Sequence, residues 1–230
     1  MPYAKPATQA AIHAALSVPR MSTYLRAVSG DPKRALDLYG WNARASAAMM
    51  LPAHFAEVTV RNAVSDALTT LYGPDWPWNP AFERSLPSTA RGHGYSPRGN
   101  LVATRNNEAT TGKVIAELKF VFWQKMFTSR HDQRIWNSAI LALFPHAIRI
   151  APAALRGRIY NDLDAIRLLR NRIAHHEPIF TRNLTDDLKR IVELVDMRSA
   201  DTAGWVRAME TATEVLTERP FKRLHTIDRE

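Results

Sequence analysis

The chain is predicted to fold as a single all-α domain, on three observations. Apolar residues recur at helical spacing along most of its length, alternating strand-like runs are nearly absent, and Pro and Gly stand where helices start and stop. With 230 residues and 46% hydrophobic content, there is enough apolar material for one large core. Residues 1–230 therefore read as one domain with short terminal tails and no internal repeat.

Pro32, directly after Asp31, suits the first turn of a helix that carries Leu36, Tyr39 and Ala43 to about Met50. Pro52 opens the next, which runs to Leu71 and is stopped by Gly73-Pro74. A third helix spans Thr110 to Phe127. Its aromatics Phe120, Trp123 and Phe127 read as packing, as do Trp41, Trp76, Trp78 and Trp136. Further helices are expected at about Gln133 to Phe144, Pro152 to Ala174, Thr185 to Arg198 and Asp201 to Glu218. One stretch breaks the pattern. Ser85 to Asn107 is rich in Ser, Gly, Pro and Asn, carries Arg91, Arg98 and Arg105, and has no acid. It reads as a basic loop inserted in the domain, either disordered or a flap that meets RNA phosphates.

The charge balance narrows the function classes. Thirty-one Lys and Arg against 22 Asp and Glu give +9, with an isoelectric point near 10.2. That excess favours polyanions, nucleic acid or an anionic membrane surface, although solubility alone is also a sufficient reason for it. The absence of cysteine excludes disulfides and thiolate metal sites. The first twenty residues have no apolar core of signal-peptide type. The longest apolar run, Ala139 to Phe144, is far below the roughly 18 residues of a membrane span. A cytoplasmic protein without membrane insertion is expected.

The helix PAALRGRIYNDLDAIRLLRNRIAHHEPIF carries the chemistry. At about 100° per residue, Leu155, Ile159, Leu163, Ile166 and Ile173 form one stripe, and Arg170 falls inside it. A guanidinium there needs a partner, because an unpaired buried charge costs several kcal/mol or more. Pairing with a buried carboxylate, or snorkelling at the helix end, would satisfy it structurally. Its neighbours add another reading. Asn171 follows directly, and His175, His176 and Glu177 close the helix before Pro178. RNA brings its own nucleophile, the 2′-hydroxyl, so cleavage needs a base, an acid and positive charge beside the phosphorane, but no metal. Histidine titrates near pH 6.5 and serves either proton role; arginine presents a charged fork to phosphate oxygens. One imidazole does not easily act as base and acid together, so two copies of the segment across a two-fold axis are expected, in a homodimer. The histidines also suit a helix C-cap, whereas adjacent histidines point about 100° apart and chelate a metal poorly. On the helix from Pro52, Glu57 and Arg61 either form a simple i,i+4 ion pair or, with Asn62, stand behind Arg170 and orient it.

The string Arg170-Asn171-Arg172-Ile173-Ala174-His175 matches the R-x4-H motif, with a polar residue after the arginine, of the HEPN superfamily of ribonucleases and RNA-binding proteins. The longer string LRNRIAHHEPIF resembles its Abi-like, abortive-infection branch. The blocks LYGWN (Leu38 to Asn42), Glu57 to Ala63 and GKVIAELKFVFW (Gly112 to Trp123) resemble the other family blocks in the same order, so the resemblance covers roughly residues 20–210. Phe120-Val121-Phe122-Trp123 stands where relatives have Phe-Gly-Phe-Trp.

This resemblance implies a HEPN-type helical bundle, usually dimeric, that cleaves RNA without metal or cofactor. It further implies a toxin-like effector in phage defence, with an antitoxin of protein or RNA as a partner the sequence does not name. By carry-over Arg170, Asn171 and His175 are the catalytic set, with His176 and Glu177 matching the branch. The alternative is a non-catalytic HEPN module that only binds RNA.

Overall fold

The computed structural model describes residues 5–88 and 94–221. It is 78% helical, and the described residues form twelve α-helices and no strand. The first are α1 (Pro6–Leu16), α2 (Val18–Ala27) and α3 (Pro32–Tyr72), followed by the short α4 (Pro80–Ser85), α5 (Pro97–Asn107), α6 (Thr111–Glu117) and α7 (Phe120–Met126). A π-helical turn (Asp132–Trp136) leads into α8 (Asn137–Leu143). Then come α9 (Pro152–Ala174), α10 (Leu184–Arg198), α11 (Ala200–Met209) and α12 (Ala212–Thr217). No helix among the described residues is long and apolar enough to cross a membrane.

The centre of the bundle is α3, 41 residues and about 60 Å long. Asp31 caps it by accepting from the Arg34 amide at 3.0 Å, and Pro32 occupies its first turn. Helices α2, α7, α9, α10 and α12 all pack on it. The expected break at Pro52 does not occur. An interior proline costs about 3 kcal/mol, and Pro52 is itself buried in the face that α3 presents to the core. Buried Ala45, Ala48, Ala53, Ala56 and Ala63 continue that face on both sides. A break at Pro52 would interrupt this burial, and tertiary packing overrides the local signal.

The opposite correction applies further on. The single helix expected from Thr110 to Phe127 is two, α6 and α7, separated by Leu118 and Lys119 in extended conformation. The helix expected from Asp201 to Glu218 likewise breaks, where Glu210 accepts from the Thr213 amide at 2.9 Å. Most aromatics are core, as expected: Trp76, Trp123, Trp136, Phe122 and Phe127 are fully buried. The exceptions are Trp78, which is exposed, and Phe120, which is only partly buried.

The basic loop also needs correction. Its second half is α5, started by Ser96, whose hydroxyl accepts from the Gly99 amide at 3.1 Å, and by Pro97 in the first turn. Arg98 donates to the carbonyls of Glu83, Arg84 and Leu86, the last acceptors of α4. Arg105 donates to the Pro77 carbonyl and pairs with Glu83 at 2.5 Å. Both guanidiniums hold α5 against α4 rather than standing free for phosphates. The acid that Arg105 needs, Glu83, lies two residues before the acid-free stretch begins. Arg91 lies outside the described residues. Arg105→Ala strands the Glu83 carboxylate, so a loss of about 1–3 kcal/mol in stability is expected in thermal or urea unfolding.

Candidate active site

Helix α9 forms where it was expected because Pro152 starts it and Leu155, Ile159, Leu163 and Ile166 are buried along one stripe. It lies antiparallel to α7, in a register fixed by polar contacts. Arg156 reaches the Phe127 carbonyl and Asp132; Lys125 donates to the Tyr160 hydroxyl at 3.1 Å. Next, the buried Gln124 donates to Asp164 at 2.8 Å and accepts from Arg167 at 3.1 Å. The Asp164 carboxyl is held below the usual carboxylate range, first by the hydrogen bond from Arg167. At the far end of the ladder, Phe120 meets Arg170.

Arg170 thus has three surroundings. Its Nη2 pairs with the Glu57 carboxylate of α3 at 2.8 Å, with side chains 27% and 17% exposed respectively. Its guanidinium carbon lies 5.1 Å from the centre of the Phe120 ring. Its buried Nε finds no acceptor among the described residues. The expectation that a carboxylate meets this arginine holds, and Glu57 is that carboxylate rather than the partner of Arg61. Among the described residues Arg61 forms no ion pair, and its Nε is buried without an acceptor; Asn62 is exposed. So Glu57 stands behind Arg170, while Arg61 and Asn62 do not join it.

The end of α9 is built differently. The His176 amide donates to the Ile173 carbonyl at 3.0 Å and the Glu177 amide to the Arg172 carbonyl at 2.7 Å, closing a Schellman turn. Residue 176 has the left-handed conformation such a turn requires, φ +55°, where glycine is usual. Arg20 of α2 donates to the His176 carbonyl from outside. Beyond it, buried Asn42 accepts from the amides of Ile179 and Phe180 at 2.8 and 3.1 Å, fastening the segment to α3. Glu177 pairs with Arg172 at 3.4 Å.

Asn171, His175 and His176 are exposed, and among the described residues nothing hydrogen-bonds to their side chains. Their polar groups are free to meet a ligand. Arg170 and His175 are five residues apart, about 140° around the helix, so one chain does not bring them face to face. The structure therefore groups Glu57, Phe120 and Arg170 on the packed side of α9, and Asn171, His175 and His176 at its open end. Sequence reasoning missed Phe120, Arg20 and Asn42 as builders of this end. Asn42 and Phe120 left a signal, as members of the LYGWN and GKVIAELKFVFW blocks; Arg20 left none.

The strained position 176 gives a direct check. His176→Gly should leave stability unchanged or raise it by up to about 1 kcal/mol, and the β-branched His176→Val should lower it by about 1–2 kcal/mol. Urea unfolding of the two variants measures both.

Among the described residues no cluster of three or more His, Asp or Glu side chains is placed to hold a metal ion. Comparison of the chain with known protein families, with curated proteins and with solved structures finds no match.

Proposed function

We propose that the protein is a metal-independent endoribonuclease of HEPN type, whose α9 segment cleaves RNA through the 2′-hydroxyl. The observation that carries this reading is the open end of α9. Asn171 and His175 present polar groups that have no partner among the described residues, within one and a half turns of an arginine fixed by a carboxylate and a ring. In this reading Arg170 supplies charge at the phosphate, with Glu57 and Phe120 fixing its direction, and His175 moves protons at the 2′-hydroxyl or the leaving 5′-oxygen. Because Arg170 and His175 diverge around the helix, a second copy completes the site, and the working form is a homodimer. The Abi-like resemblance of residues 169–180 and of the preceding blocks supports a toxin-like, abortive-infection role.

A second reading has one observation in its favour. The Glu57 carboxylate already neutralises Arg170, as in a structural ion pair, and a HEPN module that binds RNA without cutting it would tolerate that. Product analysis separates the two. Pure protein incubated with total RNA in EDTA should leave ends carrying 2′,3′-cyclic phosphate or its 3′-phosphate hydrolysis product. Light scattering on the same sample should give about twice the 26.0 kDa chain mass. RNA retained intact by a protein that binds it would favour the second reading.

A further inference from the structure

A cavity of about 320 Å³ lies at the other end of the α7–α9 pair from the histidines. Leu86 after α4, Pro97 at the start of α5 and Met126 at the end of α7 form apolar walls, with the Tyr95 ring beside them. His131, on the short turn after α7, lines it too. Lys125 faces Tyr160, ten residues before Arg170, so about 15 Å of helix separates this cavity from the candidate active site.

His131 is what makes this cavity more than a packing gap. The residue is 2% exposed, yet among the described residues no hydrogen bond reaches its ring. Its ring nitrogens are not sealed off from solvent, so the polar edge of the imidazole opens onto the cavity and is free to pair with a ligand there. Burial, with Arg130 and Arg134 nearby, pushes the imidazole down to about 4, so it is neutral near pH 7. A neutral imidazole offers one N–H donor and one bare nitrogen acceptor. The ligand it asks for has a flat apolar body and an edge bearing both a donor and an acceptor. At the rim, Lys125 and the exposed Arg130 add positive charge for an anionic tail. The volume sits within the roughly 300–1,000 Å³ typical of small-molecule sites.

We propose that this cavity is a nucleotide-binding site, with the base between the apolar walls and Tyr95, its polar edge on His131, and its phosphate near Lys125 and Arg130. The base belongs either to a free mononucleotide or to an RNA strand. The site does not depend on the nuclease reading.

The test is calorimetric titration of the full chain with the four ribonucleoside 5′-monophosphates, with ribose 5-phosphate, and with a short RNA and its abasic counterpart. Mononucleotides should bind at least tenfold more tightly than ribose 5-phosphate. If the source is a strand, the RNA should instead outbind its abasic counterpart by that factor. Ser129→Trp places a bulky ring at the exposed edge of the cavity without touching the core, and should weaken binding at least tenfold; His131→Phe should do the same if it folds. Arg170→Ala should leave mononucleotide binding, and the ratio between the RNA and its abasic counterpart, unchanged while abolishing cleavage, which keeps the two sites' outcomes distinct. Equal binding of ligands with and without a base, or undiminished binding by Ser129→Trp, overturns the proposal.

Discussion

His175→Ala is expected to slow RNA cleavage by about 10²–10⁴-fold, the usual effect of losing an acid–base group, with little change in melting temperature. The side chain is exposed and bonds to nothing among the described residues, so the fold does not depend on it. Arg170→Ala should behave differently. It removes the cation and leaves Glu57 against α9 without its partner, so activity and stability should fall together, the latter by about 1–3 kcal/mol. Glu57→Gln separates the two roles. It keeps the shape and removes the carboxylate charge, so a positioning role predicts a lower kcat with a melting temperature closer to the parent's than that of Arg170→Ala. His176→Ala should be milder than His175→Ala, since His176 serves the turn through its backbone. Normal cleavage by His175→Ala alongside a dead His176→Ala would move the acid–base role one residue on.

Acid should weaken the fold markedly through His131. Its imidazole is kept neutral by burial and by Arg130 and Arg134, with Asp132 opposing them, and is pushed down from 6.5 to about 4. In the unfolded chain it protonates near pH 6.5. The fold therefore has its full stability above pH 6.5 and loses it as pH falls toward 4, because the unfolded state binds the proton first. At about 1.4 kcal/mol per pH unit across that window, the loss is on the order of 3 kcal/mol. Urea unfolding at pH 7 and at pH 4 measures it. His131→Phe should flatten the pH dependence between those values; an unchanged slope in that variant would assign the acid sensitivity to other groups.

Much of the fold is legible in the residues, and the failures share a cause. The bounds of α9 follow from Pro152 at one end and Pro178 past the other, with a clean apolar stripe between them. The same reasoning applied to Pro52 predicts a break that does not exist, because what keeps α3 continuous is the burial of its alanines against helices distant in sequence. The extended pair Leu118–Lys119 is the reverse case. Neither residue is a local breaker, yet the break sets Phe120 at the start of the helix that faces Arg170.

At the site, an arginine inside an apolar stripe announces its need for a carboxylate, and Glu57 was among the candidates. That Arg61 would stay apart was not legible, since i,i+4 spacing permits a pair without requiring one. The left-handed backbone at His176 was also hidden, because the usual marker of such a turn is glycine. Arg105 read as a phosphate contact because the acid it binds, Glu83, lies before the stretch, and Arg98 because its acceptors are backbone carbonyls, of Glu83, Arg84 and Leu86, which composition does not show.

The central claim, that α9 cleaves RNA by way of the RNA's own 2′-hydroxyl, is tested most directly with an oligonucleotide that has all its 2′-hydroxyls replaced by hydrogen, compared with the matching RNA in EDTA. The account predicts cleavage of the RNA to 2′,3′-cyclic phosphate ends and none of the deoxy strand. Cleavage of the deoxy strand, or RNA cleavage that stops when EDTA is added, would contradict it.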